Sequence, residues 1–355
     1  MSKVVYLLGA GASYGNQRDE NNPKKFKIEK PSKEGKSTSI SYHTCASIYS
    51  GLPIVSELPG RLLYMYSWLN DEIKTFKNDS LEKRSLEQLA EDINWLHKES
   101  GRHATIDTFA KKLYVIGKDD DYCRLKRAFT IYLMWEQMNN PPDIRYDSFF
   151  AAILGDKYDD FPKDVSIISW NYDCQLELAY HEYCKLDSIS EISIKLGVKD
   201  KVLGIKRDDS AGFRIMKLNG CALIEDNHCI LDPFFNTFHT PIGKMIGLYK
   251  YSSGNKTLLS FAWEKMDDDY KSEISAQVYD AETIVVIGYS FPFFNRKVDR
   301  FLFDSMPNLK NIYIQDPYAD RIVQTLPSVI PSHIYPITKV EKITTKEQFY
   351  LPPEL

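Results

Sequence analysis

The chain has 355 residues, 43% of them hydrophobic and 26% charged, long enough to build a sizeable core and too long for a disulfide-stapled miniprotein. Its 45 Lys and Arg against 49 Asp and Glu leave a formal net charge of −4, which excludes holding duplex nucleic acid by bulk positive charge, although a local basic patch stays open. No apolar run reaches the roughly 18 residues of a membrane span, and the start at Met1 carries no signal-peptide pattern, so a cytoplasmic, membrane-free protein is expected.

Residues 3 to 8 are a short apolar run, β-branched at its start, that empties into Gly9-Ala10-Gly11-Ala12-Ser13; this reads as a buried strand of a parallel sheet. From about 16 to 44 the chain turns polar and basic (Lys24, Lys25, Lys27, Lys30, Lys33, Lys36), the pattern of a long mobile loop. Between 58 and 155 apolar residues recur at helical spacing, as in Leu62, Met65 and Leu69 and again in Ile106, Phe109, Ala110 and Leu113, which predicts an inserted helical subdomain. Strand signals return at 165–170, 213–218, 283–288 and 311–315. Residues 251–256 read as a surface loop and 351–355 as an irregular tail.

Short apolar strands separated by helix-length connections predict an α/β fold, a Rossmann-like doubly wound parallel sheet with helices on both faces and ligands beyond the carboxyl ends of the strands. The sheet-forming unit is expected at 1–57 and 156–350, interrupted by the helical insertion at 58–155. Six cysteines, at 45, 123, 174, 184, 221 and 229, form no Cys-x-x-Cys pair and read as reduced thiols.

Five short motifs sit at strand ends. Gly9, Ala10, Gly11 and Ser13 let a backbone approach a phosphate, or are a plain tight turn, since Tyr14 breaks the dinucleotide fingerprint. Asn171 and Asp173, two residues apart, either project into a ligand crevice or cap a helix. Lys217-Leu218-Asn219-Gly220 and Gly288-Tyr289-Ser290 each end a strand, and Asp316 is the type of acid that accepts hydrogen bonds from ribose hydroxyls, or a turn residue before Pro317. The phenylalanines at 234, 235, 238, 291, 293 and 294 either stack on a ligand ring or fill the core.

In this order the motifs resemble the sirtuin family, and more closely the sirtuin-like domains of bacterial anti-phage defence proteins. Gly9-Ala10-Gly11-Ala12-Ser13 is similar to the family's opening glycine motif, Gly51-Leu52-Pro53 to its Gly-Ile-Pro piece, Asn171-Tyr172-Asp173 to its Asn-x-Asp motif, and Gly288-Tyr289-Ser290 to its ribose-binding turn. The resemblance implies NAD as substrate or ligand rather than a prosthetic group, with the pyrophosphate on Gly9, Ala10, Gly11 and Ser13. The ribose would lie near Gly288, Tyr289, Ser290 and Asp316, and catalysis would rest on Asn171, Asp173 and Asn219. It implies hydrolysis of NAD to nicotinamide and ADP-ribose by a regulated defence effector, working as a homo-oligomer or with a partner protein, with no direct nucleic-acid binding. Two departures matter. The family's Lys-Leu-His-Gly reads Lys217-Leu218-Asn219-Gly220, so its general-base histidine is absent, and the zinc cysteines of the protein deacylases are absent too. The first leaves a catalytically silent NAD or ADP-ribose sensor as the alternative, with His43, His228 and His239 as other bases to consider; the second argues against protein deacylation.

Overall fold

The computed structural model describes residues 3–14, 51–202, 213–226, 229–235 and 240–355. The basic segment 16–44, His43, Cys45, His228, Phe238 and His239 lie outside them. Among the described residues no helix is long and apolar enough to cross a membrane.

Among the described residues seven strands form one all-parallel sheet: β1 (Lys3–Leu8), β2 (Val165–Ser169), β3 (Val198–Asp200), β4 (Arg214–Lys217), β8 (Ala281–Ile287), β9 (Asn311–Gln315) and β10 (Lys339–Ile343). Their order is β10-β9-β8-β1-β2-β4-β3. Side chains alternate across the pleat, so each strand feeds two cores. Val5 and Leu7 of β1 join Ile168, Met216, Ile284, Val286, Ile312 and Ile314 on one face, under α9 (Asp268–Val278), α10 (Arg296–Asp304) and α11 (Ala319–Thr325). Val4, Tyr6 and Leu8 point the other way with Val165, Ile167, Ile215, Val285 and Ile287, under α5 (Ile144–Ile153), α6 (Gln175–Cys184) and α7 (Ile189–Lys195). The sheet therefore needs apolar residues at consecutive positions, which is why these strands read as unbroken apolar runs.

The connection from β1 to β2 carries α1 (Leu58–Thr75), α2 (Leu81–Ser100), α3 (Ile106–Val115) and α4 (Asp119–Asn139) before α5. Ser80 caps α2 and Thr105 caps α3, each accepting a backbone N–H three residues on. The apolar stripes of α1 to α4 meet in Leu62, Met65, Leu89, Phe109 and Leu125. Each such buried apolar side chain contributes about 2 kcal/mol by leaving water. That core continues into a small antiparallel sheet, β5 (Gly220–Asp226), β6 (Cys229–Ile230) and β7 (Lys256–Leu259), ordered β6-β5-β7, and into α8 (Pro241–Ser252), through Leu223, Ile224, Leu258, Met245 and Leu248. The segment expected as a surface loop at 251–256 ends α8 and starts β7, because alternation in the Lys256–Leu259 strand is too short to register as a pattern.

Candidate active site

A cavity of about 400 Å3 opens at the carboxyl ends of β1, β2, β4 and β8. Here the helices flanking the sheet change faces, the position where α/β sheets leave a crevice. The floor is Gly9, Ala10 and Ser13 after β1, Trp170 to Asp173 after β2, Asn219 after β4 and Gly288 to Ser290 after β8. The roof comes from elsewhere in the chain: Leu52 to Val55, Asp107 of α3, and Phe129, Tyr132 and Leu133 of α4. Motifs separated by up to 281 positions in sequence thus share one wall.

Two glycine-bearing loops are packed backbone to backbone. A Cβ on Gly9 would lie 2.6 Å from the Gly288 carbonyl oxygen, and one on Gly11 would lie 2.7 Å from the Gly288 Cα. Gly288 itself has φ of +60°, and Phe291 nearby takes φ of +52°, a conformation rare outside glycine. Gly9 N–H donates to Ile287 O (3.0 Å), Gly11 N–H to Gly288 O (2.9 Å), and Ala12 and Ser13 N–H to Gly9 O and Ala10 O. These glycines therefore serve loop-to-loop contact, and four of the turn's N–H groups are already bonded within the protein. From α5, Arg145 donates to Gly11 O (3.2 Å) and Ala12 O (3.0 Å), bringing a cation beneath the turn.

Ser13 joins the β1 and β2 loops. Its Oγ accepts from Asn171 Nδ2 (3.0 Å) and is hydrogen-bonded to Tyr146 Oη (2.9 Å). Asn171 Nδ2 also donates to Gly9 O (3.0 Å). Asp173 accepts from Gln175 N (3.1 Å) in the turn that leads into α6, one residue before the N-cap Cys174, while facing the cavity. Burial pushes its carboxyl above the ordinary carboxylate range, opposed by Lys217 and by a hydrogen bond from Ser13. Asn219 Nδ2 donates to Trp170 O (2.9 Å), while its Oδ1 is buried with no hydrogen-bond partner among the described residues, on a side chain only 4% exposed. A buried acceptor left open at a cavity wall costs about 1–3 kcal/mol unless a donor arrives, so this atom is a natural contact for a ligand hydroxyl or amide.

Asp107 is the site residue that sequence reasoning missed. It sits in the first turn of α3, where an acid reads as a complement to the helix dipole. Only the tertiary fold brings it over the sheet, where Tyr172 Oη donates to its Oδ1 (3.3 Å) and burial raises its carboxyl to about 6. Below the wall, Asp299 of α10 accepts from Trp170 Nε1 (3.0 Å) and Tyr289 Oη (2.9 Å) and is pushed up to about 8 by burial. Asp316 lies outside this wall: its carboxylate accepts Tyr318 N–H (2.7 Å) at the start of α11. Of the phenylalanines, Phe294 lines the cavity, Phe291 is core, and Phe293 is exposed.

Beneath Asp173 lies a buried group of Cys174, Glu177 and Cys221, the only such set of potential metal ligands among the described residues. Lys217 Nζ enters it, 2.5 Å from Glu177 Oε1 and 2.7 Å from Asp173 O.

Fold and cavity together define a Rossmann-like α/β protein with a seven-stranded all-parallel sheet, a ligand-sized crevice at its carboxyl edge and a buried Cys-Cys-Glu cluster. Comparison with protein-family models, curated proteins and solved structures finds no match for the chain.

Proposed function

We propose that the chain is a sirtuin-like NAD+ glycohydrolase, cleaving NAD to nicotinamide and ADP-ribose as a regulated effector of anti-phage defence. The observation that carries this reading is the convergence of four motifs, at 9–13, 171–173, 219 and 288–290, on one cavity whose volume falls in the range of ligand sites. A family resemblance in linear order would not by itself require those residues to meet.

The chemistry asked of the site is rupture of the ribose C1–nitrogen bond, the electron pair leaving with nicotinamide and a water adding to C1 as it gives up a proton. The positive charge that develops on the sugar is stabilised by groups that are already oriented. Asn171 is held by Gly9 O and Ser13 Oγ and Asp173 by Gln175 N, so neither has to reorganise. The proton needs an acceptor, and Asn219 has none to offer near neutral pH. Asp107 supplies one: with its carboxyl at about 6 it is ionised at pH 7 yet basic enough to accept a proton from water. An unrestrained NADase would exhaust its host, so the reading includes control through oligomerisation, a partner or a bound nucleotide.

Asn219 favours a second reading, a silent sensor or assembly scaffold that binds NAD or ADP-ribose through the open Oδ1 without turnover. The test is chromatography of nicotinamide and ADP-ribose released from NAD by the purified protein and by Asn171→Ala. Turnover that the variant loses by roughly 100-fold or more supports the enzyme. Saturable NAD binding with no product in any oligomeric or partner-bound state supports the sensor, and neither binding nor turnover refutes both.

A further inference from the structure

We propose that Cys174 and Cys221 are a thiol–disulfide pair whose oxidation by hydrogen peroxide staples the two loops that carry Asp173 and Asn219. The sulfurs stand 3.1 Å apart, although 47 positions separate them in sequence. Cys174 directly follows Asp173, at the start of α6, and Cys221 stands two residues after Asn219, at the start of β5. Leu218 N–H donates to Ser169 O (2.9 Å) and Ala222 N–H to Tyr172 O (2.6 Å), so the loops are already aligned across the pair. A disulfide sulfur pair is about 2.05 Å apart, so closure draws the sulfurs nearer by about 1 Å and moves at least one loop with them.

The surroundings assign roles to the two thiols. Cys221 keeps 3% of its surface and lies 3.5 Å from the Lys217 ammonium, whereas Cys174 has none. Its hydrogen bond with Cys221, and then burial, hold the Cys174 thiol protonated. Cys221 is therefore the attacking sulfur: it releases its proton, bonds to one peroxide oxygen, and the O–O bond breaks to leave the sulfenic acid and one water. Cys174 then attacks that sulfur; the S–O bond breaks, the second water departs with the Cys174 proton, and the S–S bond forms. Two thiols have lost two electrons and two protons to one peroxide. Burial of both sulfurs makes the reaction slow for free peroxide and specific for this pair.

The same atoms with Glu177 offer a metal-ligand set, but Lys217 already supplies the cluster's positive charge at 2.5 Å from Glu177 Oε1. A divalent ion would have to displace a buried ammonium that also bonds Asp173 O. The redox pair needs no such displacement.

The test uses the full chain treated with hydrogen peroxide, blocked with an alkylating agent and digested without reductant. Mass spectrometry is expected to find a Cys174–Cys221 cross-linked peptide, lighter by two hydrogens than the two thiol peptides, that dithiothreitol reverses. Exposed Cys123 is expected to alkylate as a monomeric thiol or to carry its own oxidation. Cys221→Ser and, should it fold poorly, Cys174→Ala each remove the cross-link. Independent alkylation of Cys174 and Cys221 after peroxide has oxidised Cys123 overturns the pair, as does purified protein holding one zinc per chain that both substitutions abolish. The consequence for the cavity rests on the proposed function: oxidation is expected to lower NAD turnover several-fold, with recovery on reduction. A cross-link with unchanged turnover overturns that coupling alone, and a chain that never turns over NAD leaves the cross-link measurable by mass.

Discussion

Replacing Gly288 by Ala tests whether the cavity depends on the contact between the β1 and β8 loops. The added Cβ would lie closer to Ala12 N and to Gly11 Cα and C than Cβ atoms come in real structures, and all three are backbone atoms that cannot swing aside. The left-handed φ of +60° adds about 1–2 kcal/mol for a residue with a Cβ. Overpacking of this kind costs a further 1–3 kcal/mol or so, giving a destabilisation of about 3 kcal/mol. With an unfolding entropy of roughly 2.1 cal/mol/K for each of 355 residues, that is a fall of about 4 °C in Tm. A Cβ added at Gly247, inside α8, would meet nothing within 4 Å among the described residues, so Gly247→Ala is the control and should raise stability by about 0.5–1 kcal/mol. Differential scanning calorimetry of the two variants, with NAD titration by isothermal calorimetry, reads both effects. If Gly288→Ala melts like the parent and binds NAD as tightly, the β1 and β8 loops are not locked against each other.

Three further outcomes are expected. Asp107→Asn should lose about 100-fold in NAD turnover while keeping NAD affinity, and should abolish the rise in rate through pH about 6 that follows from its ionisation; a parent profile flat between about pH 5 and 7 would remove Asp107 as the base. Asn219→His should gain no more than about 10-fold if Asp107 is the base, as proposed; a gain of about 100-fold or more would show that the natural protein lacks a working base. Asp299 has a native carboxyl at about 8 against 3.8 for the ordinary group, so the native state holds a proton that the unfolded chain has released. The stability this contributes is complete below about pH 4 and is lost as pH rises through about 8. Asp299→Asn, which mimics the protonated acid, should flatten the urea midpoint between about pH 5 and pH 8.5, and an unchanged slope would refute the assignment.

Much of the sheet was legible because its strands are buried on both faces and so announce themselves as apolar runs: 3–8 and 311–315 match β1 and β9 to the residue. β3 and β10 of that sheet were not legible as strands, nor were β5, β6 and β7 of the small antiparallel one: β3, β6 and β7 are short and β10 is half exposed. The motif residues Gly9, Ser13, Asn171, Asp173, Asn219 and Gly288 were visible as strand-end signals, and their meeting in one cavity follows from parallel strands sharing a carboxyl edge. Asp316 carried the same kind of signal and yet sits outside the wall, since β9 lies one strand further from the β1 crevice.

By itself the sequence determined the α/β class, the helical periodicity between β1 and β2 and the strand-end motifs, because each of these is written in local periodicity or in residue type. Tertiary structure decided everything that depends on distance between remote segments. It brought Asp107 from a helix more than 60 residues before Asn171 onto the cavity roof, and it set Cys174 beside Cys221. It also gave Gly9 and Gly11 a packing reason for being glycine. A carboxylate on a helix and a thiol after a strand look ordinary in linear order; their chemistry arises only from the low-dielectric neighbours that folding supplies.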